Sequence, residues 1–262
     1  RNNYVNLLQT TGEGASNTIR LVDAPTVPQR PVESNDTILI LLAGIVGAGL
    51  AAAAAYLLDM LDDRLRDVGD ISKEFGLNTL GVIPESSLEQ IRSPLVMQND
   101  PHSIAAESFR VLRTNMMFAS VDNDLQVLLI TSPGAGEGKS YVSSNMAIAF
   151  AHAGRRVVLI DADLRKPTIH RQFGVLNNKG VSTALVGGSA GMKEAIQATT
   201  TPGLAVMASG PLPPNPSELL TSNRMQDMLG SLASTYDLVI VDSPPVTIVS
   251  DSAMLASRAD GV

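Results

Sequence analysis

The stretch from Val127 to Phe150, "VLLITSPGAGEGKSYVSSNMAIAF", decides how this chain folds. Its first four residues are apolar and bounded by turn formers, the signature of a short buried strand. Gly134, Gly136 and Gly138 follow in quick succession, then Lys139 and Ser140, then a segment of helical composition that closes at Gly154. A glycine-rich turn between a strand and a helix gathers backbone N–H groups and a helix N-terminus at one point, and the lysine and hydroxyl complete a cradle for phosphate. Gly134 and Gly136 leave room for the backbone to approach such a ligand.

Working outward, the same alternation continues. "RRVVLIDAD", "GLAVMAS" and "DLVIVDSPP" read as strands, with "SELLTSNRMQDMLGSLAS" as one helix between the last two. Upstream, "HSIAAESFRVLRTNMMFAS" is a helix with Ile104, Phe109, Leu112 and Met116 on one side. The expected fold is therefore α/β, a P-loop NTPase with a mostly parallel sheet covered by helices on both faces. Asp161, Asp163 and Asp242 each fall just where a strand ends, at the sheet edge where ligands bind in open α/β folds. Carboxylates beside the Ser140 hydroxyl are hard oxygen ligands of the kind Mg²⁺ takes. The usual spacing GxxxxGK[ST] calls for glycine at 133, where this chain has Pro133.

The 262 residues carry a net charge of -7 and a pI near 4.9, which argues against nucleic acid as the main partner. There are no cysteines, so disulfides and thiolate chemistry are excluded. His102, His152 and His170 show no ligand spacing, and Met116, Met117, Met225 and Met228 read as core.

Residues 37–58, "TILILLAGIVGAGLAAAAAYLL", contain no charge. As a helix they would reach about 33 Å, the thickness of a bilayer core, so one transmembrane helix is expected before the α/β domain. Arg20 and Arg30 before it and Arg64, Arg66 and Lys73 after it leave its orientation undecided. The phosphate cradle decides it, because nucleoside triphosphate is cytosolic. Residues 1–36 are thus placed outside the cell, ending in a connector with Pro25, Pro28 and Pro31 at every third position. Residues 59–101 read as a juxtamembrane helix, one short strand in "LNTLGVIPES" and a linker; residues 102–262 form the P-loop domain. The chain starts at Arg1 and stops in "SRADGV", where another strand is expected to begin, and reads as a fragment.

These residues together resemble the bacterial tyrosine kinases, whose cytoplasmic domain is joined to a polysaccharide co-polymerase membrane anchor. "TSPGAGEGKS" matches their Walker A element, "VVLIDADLRKP" their additional Walker A′ element, and "LVIVDSPP" their Walker B element. "GPLPPNPSELL" is a segment typical of them, and "ESFRVLRTN" matches their ExxRxxR helix. The resemblance implies an autokinase using ATP and Mg²⁺ that regulates polymerisation, chain length or export of an exopolysaccharide or capsule. It implies a bacterial inner-membrane protein with its kinase domain cytoplasmic.

Under it, Gly134, Ala135, Gly136, Glu137, Gly138, Lys139, Ser140 and Tyr141 form the nucleotide-binding turn, with Lys139 catalytic. Ser140, Asp161 and Asp242 hold the ion. Asp163 lies free to orient or deprotonate a tyrosine hydroxyl, although Asp161 shares that possibility. Arg165 either contacts phosphate or pairs with an acid. Glu107, Arg110 and Arg113 would join subunits of a homo-oligomeric ring, and Glu107 with Arg110 also suits an intrahelical pair. Implied partners are protein tyrosines, including a tyrosine-rich C-terminal tail expected beyond Val262, the polysaccharide polymerase and export machinery, and the membrane, with no nucleic acid. Two other readings are a non-kinase co-polymerase whose nucleotide only sets oligomer state, and a MinD/ParA-like ATPase.

Overall fold

The computed structural model describes residues 35–61, 76–84, 94–121, 124–247 and 251–262. The proline connector and most of the juxtamembrane segment lie outside these described residues. Two units divide the chain, Arg1–Arg66 and Asp67–Val262.

In the first unit, α1 (Asp36–Met60) is a single helix of 25 residues, none of them buried. Its most apolar stretch has a mean hydropathy of 2.5. By length and composition it can cross a membrane.

The second unit is built on a sheet ordered β1 (Val127–Ile130), β5 (Leu238–Asp242), β2 (Val157–Asp161), β4 (Leu204–Met207) and β3 (Ile196–Ala198). The first four run parallel and β3 pairs antiparallel with β4. Successive strand residues point to opposite faces, and both faces are covered. Leu128, Val157, Leu159, Leu238 and Ile240 meet α3 (Ile104–Ala119) and α4 (Lys139–His152) in one core. Val127, Leu129, Val158, Ile160, Val239 and Val241 meet α6 (Val181–Ala195) and α8 (Asn223–Ala233) in the other. Every residue of β2 and β5 is buried, as expected of central parallel strands. Gly154 ends α4 with φ of 84°, the left-handed conformation a helix terminus reserves for glycine.

Several expectations change. The helix foreseen between β4 and β5 is two, α7 (Pro216–Thr221) and α8, because Ser222 leaves helical geometry and its Oγ accepts the Met225 N–H instead. Ile104 is not on the core face of α3; it is exposed at the first turn, and the buried stripe is Ala105, Ala106 and Phe109. Met117 is exposed, whereas Met225 and Met228 are buried as read. Residues 76–84 form no strand, although Ile83 still packs on the core.

The stretch read as linker contains α2 (Val96–Asn99), with Leu95, Val96 and Met97 buried. Asn145 on α4 holds it, its Oδ1 accepting from the Met97 N–H at 3.0 Å and its Nδ2 donating to the Pro94 carbonyl at 2.7 Å. The packed domain therefore begins before residue 102. Near the other end, Gly261 makes an isolated parallel bridge with Leu128, beside β1.

Candidate active site

β1, β2 and β5 end side by side, and the loops leaving them make the site. The turn after β1 is shaped by two glycines with positive φ, Gly136 at 83° and Gly138 at 86°, the latter capping α4. These angles suit glycine and strain any other residue. Its first half is tied to the loop after β5: Thr131 Oγ1 donates to the Pro244 carbonyl at 2.9 Å, and the Val246 N–H donates to Ser132 O at 2.9 Å. Pro133 accepts from the Thr247 hydroxyl, so the residue that breaks the usual spacing serves as an anchor.

Lys139 and Ser140 open α4 and point at the strand ends. Lys139 Nζ donates to Asp163 Oδ2 at 2.8 Å, with both side chains nearly buried. Ser140 Oγ donates to Asp242 Oδ2 at 2.6 Å. Asp161 and Asp242 are register partners on adjacent parallel strands, which sets their carboxylates abreast.

Asp161 Oδ2 accepts the Thr168 and Ile169 N–H groups at 3.1 and 3.0 Å. Its Oδ1 and Asp242 Oδ1 are buried and without a hydrogen-bond partner. Orphaned buried oxygens are rare, and two carboxylate oxygens of this kind suit a cation.

Protonation follows from this crowding. Burial, together with the neighbouring Asp242 charge, pushes Asp161 up to about 8. Burial raises Asp242 to about 6, moderated by the Lys139 charge and the Ser140 hydroxyl. Burial would also raise Asp163, but Lys139 and the Lys166 and Arg165 N–H groups outweigh it and hold that carboxyl below its ordinary value. Burial works against the Lys139 ammonium, yet Asp242, Asp163 and Asp161 leave its pKa raised.

Ser140, Asp161 and Asp242 thus fit Mg²⁺: one hydroxyl and two carboxylates, with two oxygens unspent. Among the described residues no three carboxylate or imidazole groups converge on one point. Few protein ligands and several waters is the coordination Mg²⁺ favours.

Asp163 departs from expectation. It is not free but engaged by Lys139 on one oxygen and by two backbone N–H groups on the other. Arg165 pairs with an acid, its Nε 3.4 Å from Asp251 Oδ2, and also donates to Ser217 Oγ at 3.0 Å. Asp251 is buried and was not singled out from the sequence, because an aspartate opening a helix ordinarily reads as a cap. Ser217 ties the "NPSELL" segment to this edge of the sheet. The Tyr141 ring turns away from the turn and packs edge-on against Phe109, with centroids 5.5 Å apart and a buried hydroxyl. Glu107, Arg110 and Arg113 lie on α3, apart from these strand-end carboxylates in the contacts they make. Arg110 pairs with Glu107 at 2.8 Å within the helix, and Arg113 donates to the Ala149 carbonyl at 2.9 Å.

Fold and site together define a P-loop nucleotide-binding domain. The family model described as AAA domain matches residues 125–260. Tyrosine-protein kinase YwqD of Bacillus subtilis is 44% identical over 167 residues, covering 64% of this chain and 70% of the relative. Tyrosine-protein kinase etk of Escherichia coli is 31% identical over 267 residues, covering 95% of this chain and 36% of the relative. The solved kinase domain of the Escherichia coli tyrosine kinase ETK superposes with a TM-score of 0.69 at 34% identity, covering 74% of this chain and 79% of that one. The chain belongs to the bacterial tyrosine kinase family. It spans 36% of the length of etk and the same share of other long relatives.

Proposed function

We propose that the chain is an ATP-dependent protein-tyrosine kinase that regulates polymerisation, chain length or export of an exopolysaccharide or capsule. The observation that carries the reading is the pairing at the glycine turn. Lys139 meets Asp163, Ser140 meets Asp242, and two orphaned carboxylate oxygens lie beside them. The names of relatives, "Putative tyrosine-protein kinase in cps region" of Klebsiella pneumoniae and "Putative tyrosine-protein kinase CapB" of Staphylococcus aureus, support the polysaccharide context.

The N–H groups of residues 134–140 and the Lys139 ammonium take the β- and γ-phosphates. Once phosphate claims Lys139, Asp163 Oδ2 loses its partner and becomes the acceptor for a tyrosine proton. The tyrosine oxygen then bonds to the γ-phosphorus, the bond from that phosphorus to the bridging oxygen breaks, and ADP leaves. Such transfers pass through a loose transition state, so positioning matters more than base strength, and the low proton affinity of Asp163 is no obstacle. Mg²⁺ held by Ser140, Asp161 and Asp242 would supply charge neutralisation on the phosphates. Asp161 is taken up by the ion in this reading, which leaves Asp163 as the base.

In this reading α1 lies in a bacterial inner membrane and the second unit in the cytosol, where ATP is. Subunits join into a ring through α3, where the Glu107 carboxylate stays exposed and able to exchange Arg110 for a neighbour's arginine. Incubation of the purified chain with ATP·Mg²⁺ and a tyrosine substrate, followed by phosphotyrosine detection, tests the proposal. Nucleotide binding with no phosphotyrosine would favour the non-kinase co-polymerase.

A further inference from the structure

The charge of the chain is unevenly distributed. From Leu164 to Lys193 there are five lysines and arginines and not one aspartate or glutamate, in a protein of net charge -7. The start of this stretch borders the site. The Arg165 and Lys166 N–H groups bond Asp163, and α5 (Ile169–Phe173), which carries Arg171, begins at the N–H groups that bond Asp161.

The cations there differ in what they face. Arg165 is fixed by Asp251 and Ser217, and Lys179 is neutralised by Glu194 at 2.7 Å. Lys166 and Arg171 are exposed, and neither has an acidic partner among the described residues. Two unneutralised cations beside a phosphoryl-transfer site, on a protein otherwise strongly acidic, attract one kind of partner and repel the rest.

Building on the kinase reading, we infer that Lys166 and Arg171 form a docking edge for acidic residues flanking the acceptor tyrosine. The substrate class is thus a tyrosine in an acidic peptide segment. Neither residue touches the reacting atoms; each places the segment so that the tyrosine reaches Asp163.

The test uses the full chain in neutral detergent and three peptides that share one tyrosine but flank it with Glu, Gln or Lys. The expected kcat/KM for the Glu peptide exceeds that for the Lys peptide by about tenfold at low ionic strength, and the gap narrows with salt. Lys166→Glu with Arg171→Glu should invert the order, and Lys166→Ala with Arg171→Ala should level it, with the KM for ATP unchanged in both.

Equal rates on all three peptides, unmoved by either variant, would overturn the inference and leave the kinase reading standing. Phosphate on none of them would overturn both. A raised KM for ATP on every peptide would assign the edge to the nucleotide and sink the inference. So would loss of binding to phosphatidylglycerol vesicles with peptide preference intact, since that places the edge against lipid.

Discussion

At the scale of single residues, the site is a set of charges that satisfy one another only in part. Removing the Lys139 ammonium in Lys139→Met should bring phosphotransfer below a tenth of wild type, since a charge lost at the transition state costs several kcal/mol and each ~1.4 kcal/mol is tenfold. It also leaves the nearly buried Asp163 without its cation, which costs on the order of 3 kcal/mol. Lys139→Met with Asp163→Asn should recover the thermal midpoint but not the activity; recovered activity would remove Lys139 from the mechanism.

Asp161 gives a pH-dependent test. Its pKa rises from 3.8 unfolded to about 8 folded, so between those values the unfolded chain releases a proton the folded chain keeps. Stability therefore falls as pH rises through that window and is constant above it. Asp161→Asn, which cannot ionise, should match wild type near pH 4 and gain several degrees in thermal midpoint at pH 8 in EDTA. An equal midpoint at pH 8 would contradict the burial of a charged carboxylate.

At the scale of elements, loops are positioned by close backbone contact as much as by side chains. Gly180 has extended backbone that any residue can adopt, yet a Cβ there would lie 2.1 Å from the Ala208 carbonyl oxygen and 2.2 Å from the Gly210 nitrogen. The contact exists because the Val181 and Ser182 N–H groups donate to Ala208 and Ser209, prolonging the β4 edge toward the "PLPPNP" loop. Gly180→Ala should lower stability by about 3 kcal/mol, read by urea unfolding. Gly187→Ala, in α6 beside the non-helical Gly188 and with open space around it, should change stability by no more than ~1 kcal/mol. Similar effects at both positions would mean that the approach is not tight.

At the scale of the whole molecule, phosphorylation should fall elsewhere than on the tyrosines of the packed domain. The Tyr141 hydroxyl is buried, and burial raises the pKa of half-buried Tyr236. Mass spectrometry after ATP·Mg²⁺ should find phosphate on an added substrate, and abundant phosphate on Tyr141 or Tyr236 would contradict the packing. Glu107→Lys should shift sedimentation toward smaller species by turning a cross-subunit attraction into repulsion. An unchanged profile would leave only the intrahelical pair with Arg110.

What the sequence by itself determined were the features with local causes. The apolar runs at β1, β2, β4 and β5, the glycine turn with Lys139 and Ser140, the aspartates at strand ends and the uncharged run 37–58 within α1 were all legible, because each depends on neighbours in the chain. The tertiary structure alone decided which aspartate meets which partner. Asp163 is held by a lysine 24 positions away and Asp242 by a serine 102 away, and Asp251 reaches Arg165 across 86. It also turned Leu95, Val96 and Met97 from apparent linker into core, beside one buried asparagine on α4. Pairings at such separations are set by strand order and loop packing, and no local pattern of residues records them.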